Sequence, residues 1–211
     1  MVEGGPGPVL AHEAKGAALV VVGARRVGGF SRLLLGSVSD YVLRHSTCPV
    51  AIIRADAATA TPNAPRASGS VVVGLDGSAP SLAALRWGAD DARSRSAKLV
   101  IAAAWSFPLV TGPAGMGAPI PWFDVESETK DMVARVRTDE AATLAGLDLD
   151  VIISQGSPAS VLLEASADAE ELVVGDHNRR GLGRLLGSVA SQCAHHAHCP
   201  LIVIRDESSV A

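Results

Sequence analysis

A glycine-serine pair followed by Cys-Pro and a β-branched run occurs twice in this chain. "LLGSV" spans Leu34–Val38 and again Leu185–Val189. Gly36 and Gly187 are 151 residues apart, and at that offset Ser37/Ser188, Val38/Val189, His45/His196, Cys48/Cys199, Pro49/Pro200, Ile53/Ile204 and Arg54/Arg205 all match. Upstream the offset becomes 152, matching Gly4/Gly156, Pro6/Pro158, Val9/Val161, Leu10/Leu162 and Gly23/Gly175. The second copy has therefore lost one residue between Gly175 and Gly187. The repeat covers about residues 4–56 and 156–207. Self-similarity of this kind requires both copies to make the same supersecondary unit.

The second copy continues upstream into a regular alternation of strand and helix. "SVVVGLD" reads as a buried strand, and Ser78-Ala79-Pro80 opens a helix carrying Leu82, Leu85, Ala89 and Ala92 on one face. "KLVIAAAW" is a second strand, followed by a Pro- and Gly-rich loop to Trp122. A charged helix runs from Asp124 to about Gly146, then "LDVIIS" (strand), "SPASVLLEASAD" (helix), "ELVVG" (strand), a short helix from Gly187 and "PLIVIR" (strand). Strands separated by helices run parallel with right-handed crossovers. The expectation is an α/β open doubly wound five-stranded parallel sheet, in tandem with a partial first copy holding only helix, strand, helix and strand. The division is 1–56 for the partial copy, 57–69 for a linker rich in Ala, Thr and Pro, 70–206 for the complete domain and 207–211 for a tail. Only 3% of residues are aromatic, so Val, Leu, Ile and Ala must build the core.

Charge and composition exclude several classes. The net charge is −4, and the 15 Arg and three Lys form no long basic stripe, which argues against nucleic acid as a partner. No apolar run reaches the ~18 residues of a membrane span, and no secretion signal is visible. Three cysteines with no scaffold spacing indicate reduced thiols and a cytoplasmic protein.

In a doubly wound sheet, ligands bind at the carboxyl ends of the strands, near the reversal of strand order. Asp76 ends the first strand of the complete domain, where a carboxylate accepts bonds from amino or sugar hydroxyl groups. The Gly187-Ser188 helix start offers free amides and a partial positive charge of roughly +0.5, which suits phosphate. A plain reading stays open beside it: Ser188 as helix cap and Gly187 as turn residue. No Lys follows a glycine-rich loop, so there is no Walker A motif, and "GLGRLLG" is one residue too long for a dinucleotide fingerprint.

The strand ending in Asp76, "VVG" at the fourth strand, the glycine loop, "LLGSV" and "HCPLIVIR" together resemble the universal stress protein family. The resemblance covers residues 70–206 as a complete domain and about 4–54 as the C-terminal part of another; many actinobacterial members carry two such domains. It implies a Rossmann-like, adenine nucleotide alpha hydrolase-like fold. In ATP-binding members the loop reads G-x2-G-x9-G-[S/T]. Carried onto this sequence, Asp76 contacts the adenosine, Ala104 lies by the base, Gly175 begins the phosphate loop, Gly187 and Ser188 hold phosphate, and Val189 and Ala190 follow. Both copies depart from the pattern. The first has Arg26 at the second glycine, with the nine-residue spacing kept. The second has Asn178 there, and only eight residues precede Gly187. Asn tolerates a left-handed backbone, so Asn178 can do glycine's conformational work. Arg179 and Arg180 either contact phosphate or are solvated, and His177 either contacts phosphate or lies on the loop surface.

What the resemblance implies is a stress-response protein that binds ATP with Mg2+ in its second domain and commits to no chemical step, with at most weak ATPase activity. The alternative is a family member without nucleotide binding, acting as a dimerising interaction module. A third reading, an ATPase or nucleotidyl transferase, lacks a visible nucleophile, base or catalytic Lys. Family members dimerise through the last strand, which implies either a homodimer or an intramolecular pseudo-dimer between "PVAIIR" and "PLIVIR". The half-copy leaves an open apolar edge. Either roughly 90 residues precede Met1, or another chain covers that edge.

The remaining conspicuous residues have structural readings. "HHAHC" (His195–Cys199) with Cys193 fits no common zinc spacing, and Cys193 reads as core. Asp90-Asp91 and Glu170-Glu171 read as solvated neighbours pointing apart. Trp87, Trp105 and Trp122 read as packing residues.

Overall fold

The computed structural model describes residues 4–26, 33–54, 69–106, 124–176 and 186–205. In chain order the first copy contributes α1 (Pro6–Glu13), β1 (Val20–Gly23), β2 (Arg25–Arg26), β3 (Leu33–Leu34), α2 (Ser37–His45) and β4 (Val50–Ile53). The rest of the chain contributes β5 (Ser70–Gly74), α3 (Ala79–Arg95), β6 (Lys98–Trp105), α4 (Val125–Asp139), α5 (Ala141–Leu144), β7 (Leu149–Gln155), α6 (Pro158–Ala165), β8 (Glu171–Gly175), α7 (Ser188–His196) and β9 (Leu201–Ile204). The first copy's α1-β1-α2-β4 has the order of α6-β8-α7-β9. A two-residue antiparallel ladder, β2 on β3, is added within its glycine-arginine loop.

One seven-stranded sheet holds both copies, in the order β1-β4-β9-β8-β5-β6-β7. The five strands of residues 70–204 are parallel and doubly wound, as their alternation with helices requires. Period-2 side chains divide two cores. Val72, Leu172, Val174, Leu201 and Val203 lie under α2, α6 and α7. Val71, Val73, Val173, Ile202 and Ile204 lie under α3, α4 and α5. Burying each such side chain contributes about 1.5–3 kcal/mol before chain entropy is subtracted.

The copies meet where β4 pairs antiparallel with β9. Ala51 faces Ile202, its own repeat equivalent, so a pseudo-twofold axis passes between them. Two arginines cross this seam. Arg54, 1% exposed, donates from Nη2 to the Ala194 carbonyl of α7 at 2.6 Å. Its equivalent, Arg205, donates from Nη2 to the Leu43 carbonyl of α2, the equivalent of Ala194. Each guanidinium thus lies at the C-terminal turn of the other copy's helix, where a cation meets the negative end of the helix dipole.

The copies differ on the opposite face. Over β8 and β9 lies the start of α3, and a Cβ on Gly175 would meet the Pro80 carbonyl carbon at 2.5 Å and the Ser81 nitrogen at 2.7 Å. Among the described residues nothing comparable lies over β1, and a Cβ on Gly23 meets nothing within 4 Å. Val21 is consequently 59% exposed, whereas its equivalent Val173 is fully buried.

The charged helix expected from Asp124 to Gly146 is broken. Glu140 turns inward between α4 and α5, accepts from Arg86 Nε on α3 at 3.1 Å and from Thr143 Oγ1 at 2.8 Å. That guanidinium holds its carboxyl below the usual carboxylate range. A cross-helix ion pair has no signature in helical periodicity.

The asymmetry gives a paired prediction. Gly175→Ala drives a methyl into backbone and loses about 2 kcal/mol of stability. Gly23→Ala, at the equivalent position, stays within about 0.5 kcal/mol of the parent. Urea denaturation of both variants checks this.

Candidate functional site

Strand order reverses between β5 and β8, which leave β5 toward β6 and β8 toward β9. A crevice opens there at the carboxyl ends of the strands. It encloses about 110 Å³ and is lined by Gly74, Leu75, Asp76, Ser81, Ala102, Ala104, Pro158, Leu162, Val174, Gly175 and Val189. The lining is largely small and apolar, with Asp76 as its acidic group. Its size is below the roughly 300–1,000 Å³ of a drug-sized pocket.

Local sequence explains the geometry. Gly77 takes φ +78°, the left-handed turn that ends the strand and starts α3. Ser78 caps that helix, its Oγ accepting from the Ser81 amide at 3.3 Å. The Ser78 amide and hydroxyl both donate to Asp76 Oδ1, at 3.0 and 2.5 Å, fixing the carboxylate at the mouth while the residue stays exposed.

The structure brings Asp76, Ala104, Gly175 and Val189 to this crevice. Gly187 is the N-cap of α7 and Ser188 its exposed first residue, with no side chain of the cap bonding the helix. The capping position therefore belongs to Gly187 rather than to Ser188. Ala190 is 1% exposed and packs in the core beneath the helix. His177, Asn178, Arg179 and Arg180 lie outside the described residues, as does Trp122.

Sequence reasoning missed Ser78, Ser81, Pro158 and Leu162, which complete the mouth and wall. It also missed Asp176, 3% exposed. Its Oδ1 accepts from the Gly187 amide at 2.8 Å, and its Oδ2 lies 3.3 Å from Arg205 Nη1. The available signal was an acid directly after Gly175 where the first copy has Ala24.

Two other conspicuous groups lie elsewhere. Cys193 is in the core, where burial pushes its thiol up to about 12, and among the described residues no cluster of three or more His, Cys, Asp or Glu could hold a metal. Glu171 is not solvated as its sequence context suggests. It is 4% exposed at the opposite end of β8 from the crevice. It accepts from Arg95 Nη2 at 3.3 Å, and Arg95 also pairs with Asp91 at 2.8 Å. Burial first, then Asp91, push the Glu171 carboxyl up to about 7, against the pull of Arg95.

A parallel sheet with a crevice at its strand-order reversal defines a Rossmann-like protein. The universal stress protein family matches residues 1–54 and 68–205. The chain is 36% identical over 200 residues to the universal stress proteins Mb2019 of Mycobacterium bovis and Rv1996 of Mycobacterium tuberculosis. Those alignments cover 94% of this chain and 62% of each relative, so the chain spans less than two thirds of their length. A universal stress protein crystal structure from Archaeoglobus fulgidus superposes with TM-score 0.66 at 22% identity, covering 92% of this chain and 65% of that one. The chain belongs to the universal stress protein family. No helix among its described residues is long and apolar enough to cross a membrane.

Glu171 gives a pH prediction. Its folded pKa of about 7 lies above its ordinary 4.5, so between those values the native state holds a proton that the unfolded state has released. Stability falls as pH rises through that window and levels off above it. Glu171→Gln removes this slope and is the more stable protein at pH 8, by on the order of 2 kcal/mol. Denaturation at a series of pH values reads the difference.

Proposed function

We propose that this chain is a cytoplasmic regulatory protein that binds an adenine nucleotide, ATP with Mg2+, in the crevice of its complete copy and catalyses no committed step. The observation that carries this reading is the crevice itself: one fixed carboxylate, Asp76, at the mouth of an apolar slot bounded by Gly175 and Val189. A slot of this size and polarity fits a base. The Asp76 carboxylate can accept from ribose hydroxyls, and Val189 in the first turn of α7 lines the crevice, which supports a phosphate directed toward that helix start. Mg2+ would supply charge neutralisation of the phosphates when bound. Among the described residues of the first copy no strand corresponds to β5, so the reading places the ligand in the second copy.

A second reading, a dimerising interaction module, is favoured by β1 standing at the sheet's edge among the described residues and by the exposed Val21. In this reading association with a second copy through that edge accompanies or replaces ligand binding.

The two readings separate in one experiment. Mg-ATP at a hundredfold excess over its dissociation constant raises stability by about 2.7 kcal/mol. Asp76→Ala abolishes most of that gain while leaving the unliganded melting temperature nearly unchanged. A parent protein that millimolar Mg-ATP does not stabilise sinks the nucleotide reading.

A further inference from the structure

We infer that Asp176 sets which part of the nucleotide the crevice recognises, favouring the uncharged nucleoside over the polyphosphate. This rests on the adenine-nucleotide reading above.

A helix start attracts phosphate because its first amides are unpaired and its dipole is positive there. At α7 that place is already served from within the protein. The cap is a glycine with no side chain to use, and the Asp176 carboxylate, one residue past crevice-lining Gly175, takes the Gly187 amide at 2.8 Å. The other carboxylate oxygen lies 3.3 Å from Arg205, whose guanidinium also holds the Leu43 carbonyl across the seam. Both ends of Asp176 are thus tied, one to α7 and one to the pairing of the copies, and it cannot swing aside without disturbing either. An incoming phosphate meets a helix start with one amide spent, beside a carboxylate whose charge already balances that helix start and Arg205.

The first copy shows that this carboxylate is not needed to build such a helix start. There α2 begins at the same Gly36-Ser37 pair, and Ala24 stands at the position of Asp176. The acid is a feature of the copy that has the crevice. Its effect is on ligand selection: the base and ribose terms remain, and the phosphate term is weakened.

Calorimetric titration of the full chain with adenosine and with Mg-ATP, at low ionic strength, tests this. The parent protein binds Mg-ATP no more than about threefold tighter than adenosine, and Asp176→Asn, which keeps an acceptor for the Gly187 amide, raises the ATP-to-adenosine affinity ratio about tenfold. A parent that already prefers ATP by tenfold or more overturns the inference, as does an unchanged ratio in the variant. Should Asp176→Asn not fold, the parent's ratio and Asp176→Ser decide. If neither ligand binds the folded parent, the adenine-nucleotide reading itself falls, and this inference with it.

Discussion

The antiparallel contact of β4 with β9 is the constraint on which the rest of the molecule depends. A unit of two helices and two principal strands cannot bury both faces of its sheet, and the first copy does not try. It adds β4 and β1 to the edge of a complete five-stranded sheet and shares its core with α7 and β9. Hydrogen bonding across the seam is reinforced by Arg54 and Arg205, each donating to a carbonyl in the last turn of the other copy's helix. Burying a guanidinium is costly unless its donors are used. Here one Nη2 donor of each guanidinium is used by a carbonyl whose orientation the helix already fixes, which offsets part of that cost. The arrangement also ties register to packing, since a slip of one residue on β4 would turn Val50 and Ile52 onto the opposite face, where the smaller Ala51 packs.

The same seam reaches the crevice. Arg205 joins the Leu43 carbonyl on one side to Asp176 on the other, and Asp176 holds the start of α7. The pairing of copies and the start of α7 beside the crevice therefore share one side chain. The first copy has the arginine but not the acid. Among the described residues it also has no strand to carry a counterpart of Asp76, so the pseudo-twofold relates the seam and not the crevice.

Much of this was legible in the chain because it depends on local period and spacing. Valine-rich runs between alanine-rich helices dictate a doubly wound sheet, and the strand ends then place Asp76 and Gly175 on either side of the reversal. What stayed hidden depends on neighbours far apart in sequence. Glu140 breaks a helix because Arg86 lies opposite. Glu171 reads as a surface acid until α3 covers it with Arg95. Asp176 looks like one more loop carboxylate until β8 and the start of α7 converge on it. The repeat did expose Arg54 and Arg205 as equivalents, but only the sheet order reveals that they face each other's helices.

The two copies build one sheet, and the described residues place one complete crevice in the second copy. Equilibrium dialysis of the purified chain against labelled adenosine and labelled ATP, carried to saturation, tests it most directly. The account predicts one equivalent of ligand per chain, with both ligands competing for it. Two equivalents would give the first copy a site as well, and none would leave the crevice without the role assigned to it.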